Sequence, residues 1–181
     1  MNTTYTLEVA GVTRQLPIVP VSETLNIASF VVLGDTELIC AAAPLLMEKL
    51  PEVDVLVTAE AKGIPLVFEV SRLMGMKRFF VARKSVKAYM ENPVIDEVQS
   101  ITTTGKQLLC LDATDAAAIK GKRVAIIDDV ISTGESIEAI SRLVQAAGGI
   151  VTVKAAILAE GDAASREDIV FLEKLPLFPV G

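Results

Sequence analysis

The sequence predicts an α/β fold: a mostly parallel, twisted sheet with helices on both faces, plus a small amino-terminal lobe and a projecting hairpin. Short apolar runs of strand length alternate with helix-period segments between residues 53 and 158, the pattern that a parallel sheet with crossover helices requires. Two passages, 53–74 and 124–147, repeat one plan of apolar strand, short polar turn and helix. In an open parallel sheet such turns gather at the carboxyl ends of the strands, where ligands bind. A chain of 181 residues suffices for one domain with a substantial core. That domain is read as residues 1–181, with 1–34 and 160–181 peripheral and 85–120 a mobile loop or hairpin region.

In chain order, Thr6–Val9 and Arg14–Val21 read as extended segments. Pro17 and Pro20 punctuate the second, so residues 5–21 are expected to form a lobe outside the core. Asp35 is a good N-cap for a helix continuing through Leu38, Ile39, Ala42, Leu45, Leu46 and Lys49. Pro44 inside it predicts a kink or an early break. Val53–Thr58 is the next strand, and the turn Ala59–Gly63 leads into a helix from Pro65 to Met74, with Pro65 suited to the first helical position. Lys77–Ala82 reads as a further strand, ending at Arg83, Lys84 and, two residues on, Lys87. The pattern weakens from Ser85 to Lys120, where Val98–Thr103 and Gln107–Leu111 suggest short strands turning near Thr104 and Gly105. Val124–Ile127, four apolar residues in a row, reads as a fully buried strand. Ile137, Ile140, Leu143, Val144 and Ala147 then form one face of a helix that stops at Gly148 and Gly149, and Ile150–Leu158 is the next strand.

Composition excludes several kinds of function. Hydrophobic residues make up 51% of the chain but fall in short runs, none near the roughly 20 needed to span a membrane. A soluble protein is therefore expected, and, with no basic region leading into an apolar stretch at the start, a cytoplasmic one. A net charge of −6 argues against nucleic-acid binding through a broad basic face. Cys40 and Cys110 sit among apolar neighbours and read as small buried side chains in a reducing compartment. The chain has no histidine, which removes the Ser-His-Asp mechanism and the usual general base near neutral pH. Any catalysis must run on carboxylates, cations and backbone dipoles. No Gly-Lys-[Ser/Thr] string and no G-x-G-x-x-G occurs, so neither a Walker A loop nor a dinucleotide site is supported.

The run Val124–Ser136 organises the chain. Its apolar strand enters two adjacent carboxylates, Asp128 and Asp129, then the turn Ser132, Thr133, Gly134, Glu135, Ser136 at the start of a helix. Backbone N–H groups, three hydroxyls and the positive end of a helix dipole converge there, an arrangement suited to phosphate. Carboxylates just upstream are good acceptors for vicinal sugar hydroxyls. Phosphate at one end and diol at the other describes ribose 5-phosphate. The bland alternative is a buried strand whose aspartates merely cap a turn.

This string closely resembles the 5-phosphoribosyl-1-pyrophosphate (PRPP) signature of type I phosphoribosyltransferases. Thr58-Ala-Glu-Ala-Lys-Gly63, Val81-Ala-Arg-Lys84 and the signature also follow one another as in the adenine phosphoribosyltransferases, over roughly residues 25–160. The resemblance implies the corresponding fold with a small hood. It implies a reaction in which a purine nitrogen, most similarly adenine's, displaces pyrophosphate from carbon 1 of PRPP through an oxocarbenium-like transition state, with Mg²⁺ on the substrate's phosphates. Asp128 and Asp129 then serve the ribose hydroxyls, the developing positive charge and, through PRPP, the metal. Ser132–Ser136 take the 5-phosphate, and Ala61, Lys62 and Gly63 the pyrophosphate. Arg83, Lys84 and Lys87 resemble cations that neutralise pyrophosphate, commonly across a homodimer interface. Taken alone, Lys62 and the Arg83–Lys87 run also read as solvated charges. The family often has a cis peptide in the pyrophosphate turn, here placed between Ala61 and Lys62.

Three departures stand out. Lys62 replaces the usual arginine, trading a bidentate fork for a point charge. The hairpin reads Ser100-Ile-Thr-Thr-Thr-Gly105, without the glutamate that adenine enzymes carry there. The amino-terminal hood matches too poorly to transfer its base contacts. The missing acid keeps open a PRPP-sensing regulator, or an enzyme for another base. For adenine, Ala159-Glu160 stands where oxopurine enzymes have a lysine, and a carboxylate accepts from an amino group. A merely solvated Glu160 is the alternative.

Overall fold

The computed structural model describes residues 4–99 and 106–180. In chain order its elements are β1 (Thr4–Val9), β2 (Val12–Pro20), β3 (Leu25–Ala28), α1 (Thr36–Lys49), β4 (Val55–Ala59), α2 (Ile64–Leu73), β5 (Phe80–Ala82), β6 (Val94–Gln99), β7 (Lys106–Leu111), α3 (Ala113–Ile119), β8 (Arg123–Ile131), α4 (Glu135–Ala146), β9 (Ile150–Glu160), β10 (Ile169–Leu175) and β11 (Leu177–Pro179). A five-stranded sheet in the order β10-β9-β8-β4-β5 is parallel throughout. The expected α/β class therefore holds.

The central strand shows why. Along β8, Ala125 and Ile127 pack into one apolar cluster with α1, α2 and the amino-terminal strands, while Val124 and Ile126 pack into another with α3 and α4. Side chains alternate faces with a period of two, so a strand covered on both sides must be apolar at every position. At Asp128 and Asp129 the run becomes polar, and there β8 approaches its carboxyl end.

Several boundaries differ from expectation. Residues 5–21 were expected outside the core, yet Leu7, Val9 and Leu16 are buried within the cluster that includes α1. Their alternation gives β1 and β2 one inward face. These strands, β3 and β11 form a second, antiparallel sheet in the order β1-β2-β3-β11, so both ends of the chain build it.

Asp35 caps α1, its Oδ1 accepting from Leu38 N at 3.1 Å. The helix passes Pro44 without the expected break. Proline removes the donor to Cys40 C=O, and Cys40 lies on the exposed side where water can take its place. The same exposure corrects the expectation that both cysteines are buried; only Cys110 is. Helix α2 begins at Ile64, one residue early, which puts Pro65 at the second position, where a missing N–H is equally harmless. The strand expected over Lys77–Ala82 keeps only Phe80–Ala82. Before it, Arg78 bonds Asp115 at 2.6 Å and lies over the Phe80 ring, and Phe79 packs edge-on to Phe68.

The hairpin pairs β6 with β7 in the register Val94↔Leu111 to Gln99↔Lys106, so its first strand begins four residues before the expected Val98. The expectations about the Thr104–Gly105 turn and the missing acid in Ser100–Gly105 lie outside the described residues. Helix α3 had no counterpart in the sequence reading. Its seven residues are mostly alanine, with Asp112 as N-cap, and too short to show a helical period.

Candidate active site

The parallel sheet delivers three segments to one place. From β4 comes the Ala59–Gly63 turn, from β8 the acid pair and the Ser132–Ser136 turn, and from β9 the terminal Glu160. They line a cavity of about 760 Å³. Ile27 and Ala28 of the amino-terminal sheet and Phe30 just beyond β3 also line it, with Leu175 and the hairpin's Leu108 and Leu109. No local signal marks these apolar residues as functional. Ile27 reaches the site because β3 pairs with β11 at the far end of the chain, as Leu177↔Ile27.

In the acid pair, Asp128 Oδ1 accepts from Asp129 N at 2.8 Å. Burial, compounded by the charge of Asp129 beside it, raises the Asp128 carboxyl from its ordinary range to about 7. Asp129 is 5% exposed, and its Oδ2 is buried without a hydrogen-bond partner among the described residues. A carboxylate oxygen sealed from solvent without a donor is costly, and a proton on the neighbouring Asp128 carboxyl relieves that cost.

The Ser132–Ser136 turn opens α4. Gly134 adopts φ +86° and caps α4, while the hydroxyl-bearing Ser132, Thr133 and Ser136 border the cavity with Glu135. Thr133 Oγ1 accepts from Glu135 N at 3.4 Å. The helix they open is strongly amphipathic and packs on β8 and β9, which aims its N-terminus at the acid pair.

Gly63 is required by contact. A Cβ there would overlap Thr58 Oγ1 and meet Ile127 O at 3.3 Å and Asp128 Oδ1 at 3.4 Å. The turn thus lies directly on the acid pair, with Ala61 and Lys62 exposed at the cavity. Its cis peptide falls between Glu60 and Ala61, one bond before the expected place.

Glu60 was not singled out in the sequence, yet it ties the two cationic segments together. Its carboxylate accepts from Arg83 Nε and, at 2.8 Å, from Lys84 N, while its own N–H donates to Ala82 O at 3.0 Å. The Lys84 N–H and the Arg83 guanidinium hold this carboxyl below its usual range. Of the three expected cations, Lys84 lines the cavity. Arg83 is held within its own chain by Glu60 and Tyr89, and Lys87 Nζ bonds Ser85 Oγ at 2.6 Å. Neither borders the cavity. Glu160 does border it, and burial raises its carboxyl. Among the described residues no helix is long and apolar enough to cross a membrane.

Comparison with known proteins gives the family. Solved structures of similar fold include adenine phosphoribosyltransferase from Thermoanaerobacter pseudethanolicus, with a TM-score of 0.71, 24% identity, and 88% of this chain and 95% of that one covered. Adenine phosphoribosyltransferase from Saccharomyces cerevisiae, solved with adenine and an imino-altritol bisphosphate, gives a TM-score of 0.67 at 23% identity over 87% and 93% of the two chains. At these identities the likeness shows the fold. Among curated relatives, a hypoxanthine/guanine phosphoribosyltransferase of Methanotorris igneus is 34% identical over 110 residues, covering 61% of this chain and 56% of its own length. One from a Methanocaldococcus strain is 35% identical over 111 residues, covering 61% and 53%. The chain thus spans little more than half the length of these relatives. The sequence model of the phosphoribosyl transferase domain matches residues 38–176. That match runs from α1 through the acid pair and the phosphate turn to the end of β10, and on this ground the chain belongs to the phosphoribosyl transferase domain family.

Proposed function

We propose that this protein transfers the 5-phosphoribosyl group of PRPP to a purine base, adenine in the first place, with release of pyrophosphate. The observation that carries this reading is the position of Asp128 and Asp129 in one cavity between the phosphate turn and the Lys62 turn. A ribose held there has its 5-phosphate at Ser132–Ser136, its hydroxyls at the aspartates and its pyrophosphate toward Lys62 and Lys84. As the bond from carbon 1 to pyrophosphate breaks and the bond to the base nitrogen forms, positive charge develops on the ribose beside the acid pair. Carboxylates fixed before the reaction stabilise that charge without reorganising.

Mg²⁺ fits this donor set. Asp128 and Asp129, which line the cavity, would hold it through its waters on PRPP. Bound there, the ion neutralises phosphate charge. Lys62 and Lys84 add positive charge from the protein's side, and Glu60 aligns the two segments that carry them.

Glu160 supports adenine. At the cavity edge near Leu175 and the apolar wall, its carboxylate or the neighbouring carbonyl would accept from the exocyclic amino group and leave an oxopurine carbonyl unmatched. The second reading, a 6-oxopurine substrate, is favoured by the names of the curated relatives at 34–35% identity. The working form is proposed to be a homodimer.

Incubating the protein with PRPP, Mg²⁺ and each base in turn while following nucleotide formation separates the readings. Adenine turnover is expected. Preference for hypoxanthine or guanine overturns the Glu160 argument, and PRPP binding without turnover of any base identifies a regulator.

A further inference from the structure

Arg166 lies outside the cavity, between a 3₁₀ turn at Gly161–Ser165 and β10. Two of its nitrogens are committed to carboxylates. Nε donates to Asp168 Oδ1 at 2.8 Å, and Nη2 donates to Asp168 Oδ2 at 2.6 Å and to Glu138 Oε1 at 2.8 Å. The third, Nη1, makes no hydrogen bond among the described residues and points at Gly134, so close that a Cβ built on this glycine would overlap it.

Glu138 belongs to the first turn of α4, and its N–H donates to Gly134 O at 2.9 Å. Lys154 Nζ donates to the same Glu138 oxygen at 2.7 Å and reaches Asp168 at 3.5 Å. Both cations are mostly covered, with side-chain exposures of 25% and 16%. Two positive and two negative charges cancel, yet only Arg166 presses on the phosphate turn. Gly134 therefore meets two demands at once: a φ of +86°, and room for a guanidinium where a side chain would stand.

We infer that Arg166 is a positioning residue for the 5-phosphate turn. It props Gly134 from behind, fixes the first turn of α4 through Glu138, and sets a positive charge beneath the N–H groups that meet the phosphate. A cation against Gly134 reinforces the positive end of the helix dipole, and its bonds to Asp168 and Glu138 keep it from swinging away. The inference rests on the proposed reading of Ser132–Ser136 as the 5-phosphate site.

Calorimetric titration with ribose 5-phosphate tests it on Arg166→Met and Lys154→Met. Each removes one positive charge from the same cluster, and both should lower the melting temperature. Arg166→Met should weaken ribose 5-phosphate binding about tenfold or more, whereas Lys154→Met should hold it within about threefold. Arg166→Lys, which keeps the charge but not the planar edge, should fall between them, and it replaces Arg166→Met should that variant fail to fold. Equal losses in the methionine variants, or unchanged binding in Arg166→Met or Arg166→Lys, would overturn the inference while leaving the phosphate site intact. A wild-type protein that binds no ribose 5-phosphate overturns the functional reading itself.

Discussion

At the scale of single residues, Asp129 lines the cavity beside Asp128, where a charge-assisted hydrogen bond to a ribose hydroxyl is proposed. Asp129→Asn should keep the fold and weaken Mg²⁺-PRPP binding by about 1.5–3 kcal/mol, the worth of a charge-assisted hydrogen bond. A titration showing wild-type affinity would remove Asp129 from the ribose site. Asp128 makes a separate prediction through pH. Its folded carboxyl is raised to about 7, above the unfolded value of about 3.9. A group raised on folding stabilises fully below its unfolded value, and that contribution is lost as pH climbs through the folded one. Ligand-free stability should therefore fall between roughly pH 4 and 7, with a limiting slope near 1.4 kcal/mol per pH unit. Glu160, also raised by burial, acts in the same direction. Asp128→Asn should flatten most of this slope in thermal melts; an equally steep variant would show that Asp128 is not its source. The acid pair and the phosphate turn were legible because each lies within a few residues of sequence. Glu60 and Arg166 were not, since the contacts that place them, Glu60 with Arg83 and Arg166 with Glu138, join residues 23 and 28 positions apart.

At the scale of elements, α1 shows a local rule overridden by packing. Leu38, Ile39, Ala42, Ala43 and Leu46 bury its inner face, so the helix persists through a residue that disfavours it. Proline costs about 3 kcal/mol relative to alanine inside a helix, and water at the exposed Cys40 carbonyl recovers part of this. Pro44→Ala should raise stability by about 1–3 kcal/mol in urea denaturation, with no change in substrate binding. A loss would mean that the ring's own packing outweighs the missing hydrogen bond. Strands β4, β8 and β9 were legible from apolar runs. The root of the hairpin was misplaced because Val94 and Ile95 gain their strand character from pairing with Leu111 and Cys110, and Arg142 on α4 holds β6 through Asp96 at 2.9 Å.

At the scale of the whole molecule, the cavity has walls from both sheets, so a substrate filling it links the amino-terminal sheet to the parallel one. Saturating PRPP with Mg²⁺ should raise the melting temperature, the gain reaching about 2.7 kcal/mol at a hundredfold excess over Kd. No upward shift would sink the transferase and the regulator alike. Sedimentation at micromolar concentration should detect the proposed homodimer; a monomer at every concentration would refute it.

By itself the sequence determined the parallel α/β architecture and the closeness of the acid pair to the Ser132–Ser136 turn. Each depends on periodicity or on groups held together by a few bonds of backbone. Tertiary structure alone decided that β11 closes the amino-terminal sheet, that Ile27 and Phe30 face the aspartates, and that Arg83 answers to Glu60 rather than to the cavity. Those outcomes depend on which distant surfaces share a buried face. A one-dimensional pattern records that a residue is apolar or charged, but its partner is chosen by the packing of the whole chain.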